Sequence, residues 1–119
     1  MHNAIISFEK FEHAVMQKIL EEDTSVNRIL REQYKKAQVA SRDFTGVGFY
    51  TDFHLPENIV KVTEPVEYGY GDVLCDVNGI TCFGGFVLFI EDGAMICLEG
   101  YTFHEEWPNV ITNYRLYHD

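Results

Sequence analysis

Two dipeptides, Asn78-Gly79 and Asp92-Gly93, each set between apolar residues, constrain this chain more than any other feature. Asn-Gly and Asp-Gly are favoured at the centre of two-residue hairpin turns, whose twist matches that of the strands they join. Taken literally, they link three consecutive antiparallel strands and fix the register. Around the first turn Val77 faces Ile80 and Cys75 faces Cys82. Around the second, Ile90 faces Met95, Leu88 faces Cys97 and Phe86 faces Glu99. One face then carries Val73, Cys75, Cys82, Phe86, Leu88, Ile90, Met95, Cys97, Glu99 and Tyr101. The other carries Leu74, Phe83, Val87, Phe89, Ile96 and Leu98. A bulge at Gly84-Gly85 would swap the parity before Phe86 and leave the second hairpin intact. Both faces are apolar, so this ribbon needs two covers.

The N-terminal third supplies one cover. Phe8, Phe11, Val15 and Ile19 recur at spacings of three and four, which predicts an amphipathic helix with Glu9, Lys10, Glu12 and Lys18 mostly off the apolar stripe. Thr24 or Ser25 caps a second helix along Val26, Ile29, Leu30, Tyr34 and Ala37. Lys35 and Lys36 near its end suit the helix dipole. Arg28, Arg31 and Lys35 read as a solvated face. From Phe44 to Phe53 the period becomes two, predicting a strand with Gly46 and Gly48 on one side, closely approached by backbone or a ring. Pro56 and Pro65 bracket a short edge strand at Ile59–Thr63. Glu64–Asp72 reads as a loop, and Val110–Tyr117 as the last strand.

The expected architecture is α+β: two N-terminal helices packed on a curved antiparallel meander of five or six strands. It forms a single domain over 1–119, helical through 41 and sheet from 42 onward. The second cover is the curl of the sheet itself, the Glu64–Asp72 loop, or a second copy of the chain.

Charge divides unevenly along this plan. Residues 1–42 hold seven Lys/Arg and six Asp/Glu, whereas the sheet part holds only Lys61 and Arg115 against thirteen acids. A working surface on the sheet is therefore acidic. The net charge of −10 argues against nucleic acid and anionic membranes, which need rows of Lys/Arg. No run of about 18 apolar residues suggests a spanning helix. Met1–Glu9 lacks the basic and apolar regions of a leader. The three cysteines, with no close pair, fit reduced thiols and a cytoplasmic location.

No reaction motif stands out, and the residues alone leave the function open. Glu99, placed by the register among apolar neighbours, must be paired, hydrogen-bonded or protonated. It is the one candidate acid or base, with Arg42 or Arg115 as partner. Arg42 pairs with Asp43 or another sheet carboxylate, or with Thr45 holds an anion. His104-Glu105-Glu106 lacks the spacing of a metal site, because adjacent strand residues point to opposite faces. No metal or other cofactor is expected. Cys75 and Cys82 read as buried free thiols, with no basic neighbour to form a thiolate.

Ser41-Arg42-Asp43-Phe44-Thr45-Gly46-Val47-Gly48-Phe49-Tyr50-Thr51, Gly85–Gly93, Leu98-Glu99-Gly100-Tyr101 and Trp107-Pro108 together resemble motifs in a family of small uncharacterised bacterial proteins. The resemblance covers roughly residues 38–117. It implies a bacterial origin and carries no activity.

Three functional expectations follow. The first is a non-enzymatic, immunity-protein-like interaction protein, whose acidic sheet rim binds a basic protein partner with Tyr50, Tyr68, Tyr70 and Trp107 as aromatic anchors. The second is a small-molecule or acid-base pocket centred on Glu99, which with Arg42 orients a ligand between Phe86, Tyr101 and Trp107. The third is a homodimer whose sheets cover each other. Arg42, Thr45, Tyr50, Glu99, Tyr101, His104 and Trp107 are the candidate site residues.

Overall fold

Both helices form where the stripes predict them. In α1 (Phe8–Ile19) the Ser7 Oγ accepts the Lys10 N–H at 3.2 Å. In α2 (Ser25–Lys36) the Thr24 Oγ1 accepts the Asn27 N–H at 3.0 Å. Each cap satisfies a donor that a helix start leaves unpaired. Lys18 closes α1, and Lys35 and Lys36 close α2, where the dipole favours positive charge. The structure, a computed structural model, describes residues 4–119. Met1, His2 and Asn3, the start of the segment read above for a leader, lie outside the described residues.

Six antiparallel strands follow: β1 (Gln38–Phe44), β2 (Gly48–His54), β3 (Gly69–Val77), β4 (Ile80–Glu91), β5 (Ala94–Thr102) and β6 (Tyr114–His118). They form one sheet in the order β1-β2-β5-β4-β3-β6, so the fold is α+β with helices before strands. Both anticipated turns are present. Asn78 and Gly79 have φ of 51° and 83°, Asp92 and Gly93 of 52° and 75°, the left-handed pair that a type I′ turn demands. The helices cover one face of this sheet. Phe11, Val15, Met16, Leu20 and Leu30 are buried there against Phe49, Val73, Phe86, Leu88 and Leu98. Full burial of such side chains stabilises by roughly 1.5–3 kcal/mol each before entropy is counted.

The ladders depart from the literal register in two places. Past the first turn, Cys75 pairs with Gly84 rather than Cys82, because β4 accommodates extra residues around Cys82. Cys82 takes φ 51° and donates its N–H to Asp76 Oδ1 at 3.0 Å. This bulge lies just ahead of the anticipated Gly84-Gly85 position. It turns Phe83 into the core and leaves Cys82 exposed. Past the second turn Ile90 pairs with Met95 as expected, but Phe89 then pairs with Cys97. Ile96 is the extra residue, and every side chain beyond it changes side. Leu98 points into the core, Phe86 faces Gly100, and Glu99 faces Val87.

Other boundaries also move. The expected strand from Phe44 to Phe53 is interrupted by a turn at Thr45–Val47, where Gly46 adopts φ +89°. Its first arm instead begins at Gln38, an exposed edge with no apolar alternation to announce it. Gly48 is closely approached as expected, an added Cβ lying 2.0 Å from the Gly100 carbonyl oxygen, whereas Gly46 faces open space and serves the turn instead. Ile59–Thr63 forms no strand. That segment is held by single bonds, with the Val62 N–H donating to Gly93 O at 2.9 Å. Part of the predicted Glu64–Asp72 loop is the start of β3, bulged at Gly71 with φ +96°. The last strand begins at Tyr114, and Ile111 instead bridges to Ile6.

Candidate functional site

The helices leave the other face of the sheet uncovered, and the pairings define which side chains stand on it. Three rows cross the strands: Ser41, Asp52, Cys97 and Phe89; Asp43, Tyr50, Glu99 and Val87; and Tyr101, Gly85, Leu74 and Tyr117. Directly paired residues point to the same side. The β1–β2–β5 corner is therefore acidic, and the β4–β3 half is mostly apolar. Glu99, Tyr101, Leu74, Val87 and Phe89 are half-buried, while Tyr50 is 39% exposed. Tyr101 lies across Gly85, where an added Cβ would come within 2.5 Å of its hydroxyl.

Short polar contacts order the acidic corner. Tyr50 Oη donates to Glu99 Oε2 at 2.9 Å, and Ser41 Oγ to Asp52 Oδ2 at 3.0 Å. The bond to Glu99 raises the Tyr50 phenol above its ordinary range. Burial, then the Asp52 carboxylate, pushes the Cys97 thiol up to about 12. Burial does the same to Cys75. Both thiols are protonated at neutral pH and poor nucleophiles. Among the described residues Asp43, Asp52 and Glu99 form no salt bridge, whereas Asp76 on the same face is paired with Arg115 at 3.2 Å.

The structure brings together only part of the predicted set. Tyr50, Glu99 and Tyr101 share the uncovered face. Arg42 sits on the opposite, helix-covered side and pairs with neither Asp43 nor Glu99. Its Nη2 donates to Glu12 Oε1 at 2.8 Å and its Nε to Oε2 at 3.1 Å, and Thr51 Oγ1 donates to the same carboxylate at 2.5 Å. The Glu12 bond raises the guanidinium pKa further. Thr45 stands in the β1–β2 turn, away from this ion pair. Trp107 is a core wedge rather than a surface anchor, with ring centroids 5.1 Å from Phe49, 5.8 Å from Phe83 and 6.0 Å from Phe11. Tyr70 is likewise committed internally, its hydroxyl donating to Asn27 Oδ1 at 2.5 Å. His104 is exposed in the segment after β5. Tyr68 lies against Phe89 at 4.9 Å, so the loop before β3 shields one end of the open face.

Arg28 and Arg31 pair with Asp23, and Arg31 also donates to Leu20 O at 2.7 Å, closing the end of α1. Among the described residues no group of three His, Cys, Asp or Glu side chains is placed to hold a metal ion. Two clefts lie elsewhere. One of about 410 Å³ borders the Glu12–Arg42 pair beside His13, Tyr34 and Phe53. Burial, then the Glu12 carboxylate, holds the Tyr34 phenol up at about 12. The other, of about 1060 Å³, lies between the helix ends and β3. At its rim His118 Nε2 is 2.9 Å from Glu21 Oε1 and Nδ1 is 2.9 Å from Asp72 Oδ1. Glu99 lines neither cleft.

Glu12, Asn27 and Gln33 are buried polar residues that the apolar stripes did not single out. The signal was present in their spacing. Glu12 falls four residues after Phe8, and Asn27 and Gln33 flank Leu30 at three residues on either side, all on the buried faces. In comparisons with known protein families, curated proteins and solved structures, the chain has no match.

Proposed function

We propose that this chain is a non-enzymatic interaction protein that binds a basic protein partner on the uncovered face of its sheet. A protein that neutralises a cationic toxin is one case of this kind. The observation carrying the reading is the uncompensated carboxylate corner of Asp43, Asp52 and Glu99, set directly against the apolar patch of Val87, Phe89, Leu74 and Tyr101. Uncompensated charge steers a cationic protein toward the face, and the half-buried apolar and aromatic side chains gain by being fully desolvated. The raised thiols of Cys75 and Cys97 are poorly suited to nucleophilic chemistry.

Capture from native lysate, followed by identification of what co-elutes, tests this. The expected result is a basic protein whose association rate falls steeply with ionic strength. Binding is lost when Asp52→Lys and Glu99→Lys are combined and kept by Glu32→Lys on the solvated side of α2. Capture unaffected by the paired substitutions on the face overturns the reading.

A further inference from the structure

We propose that β1 is a docking edge at which an extended basic segment of the partner adds a seventh strand. This rests on the proposed role of the acidic face and specifies the form of partner that the face receives. β1 ends the sheet, with Ser41, Asp43 and Phe44 exposed. The Thr45 N–H bonds to Gly48 O at 3.0 Å, and alternation along an antiparallel pair then turns the N–H and C=O groups of Phe44 and Arg42 away from β2. The ladder is irregular between Val39 and Ser41, so the regular edge runs from Ser41 to Phe44.

The side chains along that edge dictate what can lie beside it. Ser41 and Asp43 stand on the open face, whereas Arg42 and Phe44 stand on the helix side, with Phe44 53% exposed. A residue opposite Asp43 meets its carboxylate directly. A residue opposite Ser41 sees Asp52 behind a short side chain, about 10 Å from the incoming backbone at normal strand spacing, a span that a lysine and an aspartate bridge together. Both positions call for Lys or Arg. The position opposite Phe44 calls for an apolar residue, and the one opposite Arg42, already committed to Glu12, for a neutral one. In an antiparallel partner strand the pattern reads apolar, basic, neutral, basic. A second copy of this chain fits badly, because antiparallel edge pairing puts both acidic faces on one side and each copy carries a net charge of −10. Strand addition takes affinity from main-chain bonds and specificity from alternate side chains.

The test uses the whole, isotope-labelled chain and a short synthetic peptide with that alternation, beside a peptide of the same composition with the basic residues moved one position. The expected result is slowed amide exchange at Arg42 and Phe44, resonance shifts confined to Ser41–Thr45 and the neighbouring Asp52, and weaker binding of the shifted peptide. Asp43→Asn and Asp52→Asn are both exposed changes that leave the melting temperature unmoved, and together they weaken binding about tenfold. Unchanged exchange at Arg42 and Phe44 with saturating peptide overturns the edge. If shifts instead centre on Val87, Phe89 and Glu99, the edge fails and the face reading survives. If no basic peptide binds but partner capture still depends on Asp52 and Glu99, the result is the same. Self-association through Ser41–Phe44 in sedimentation also refutes a foreign segment.

Discussion

Truncating Gln33 removes a side chain that ties α2 to both the β4–β5 turn and the segment between β2 and β3. Gln33 is fully buried. Its Nε2 donates to Val60 O at 3.0 Å and Gly93 O at 2.8 Å, and its Oε1 accepts the Met95 N–H at 3.0 Å. In Gln33→Ala, Gly93 O keeps the Val62 N–H, so its loss is small. The buried Met95 N–H is left without its partner, at about 1–3 kcal/mol, and loss of the bond to Val60 O adds about 1 kcal/mol. The vacated side-chain volume adds on the order of 1 kcal/mol. The expected destabilisation is about 4 kcal/mol, which for a chain of this size lowers the melting temperature by roughly 15 °C. Urea unfolding checks it through a lowered midpoint at unchanged slope, with Gln33→Met as a second variant that refills the space and restores no bond. Hydrogen exchange of the Met95 amide must accelerate in both. A loss below about 0.5 kcal/mol, the scatter of ordinary surface changes, would refute the reasoning.

Two further outcomes are expected. Arg42→Ala leaves the Glu12 carboxylate buried with only Thr51 to satisfy it, which costs about 3–5 kcal/mol, whereas Glu12→Leu, Arg42→Met and Thr51→Val combined replace every partner and are close to neutral in the same unfolding assay. His118 donates from both ring nitrogens to Asp72 and Glu21 only as the imidazolium, and these hydrogen bonds raise its pKa in the folded chain. Its contribution to stability is therefore complete below the unfolded value of about 6.5 and is lost as pH rises through the higher folded value. Glu21, lowered by its bonds to Lys18 and His118, sets the acid side of the window. Melting temperatures measured across this range should flatten above pH 6.5 in His118→Gln, with His118 itself followed by NMR titration.

Local chemistry made much of the fold legible. Turn dipeptides, caps and apolar stripes each act within a few residues, so Asn78-Gly79, Asp92-Gly93, a cap at Thr24 or Ser25 and the apolar part of the buried face of α1 could be read directly. The bulge in β5 could not. It accompanies the donation of the Met95 N–H to Gln33, a contact between residues distant in sequence that no strand period encodes. The turn taken literally sets Glu99 beside Phe86 among apolar neighbours, and one extra residue moves it to the open face, where its partner is Tyr50. Arg42 was legible as an ion-paired residue. Its partner Glu12 was hidden because a carboxylate at an apolar spacing looks like an interruption of the stripe.

Ile96 sets the phase of everything that follows it in β5. Lose it, and Cys97, Glu99 and Tyr101 turn toward α1 and α2 while Leu98 turns to solvent. Exchanging side chains in this strand is a milder change than altering its length. Homologous chains that keep the same acidic corner must therefore conserve the residue count between Asp92-Gly93 and Glu99 more strictly than the residues themselves.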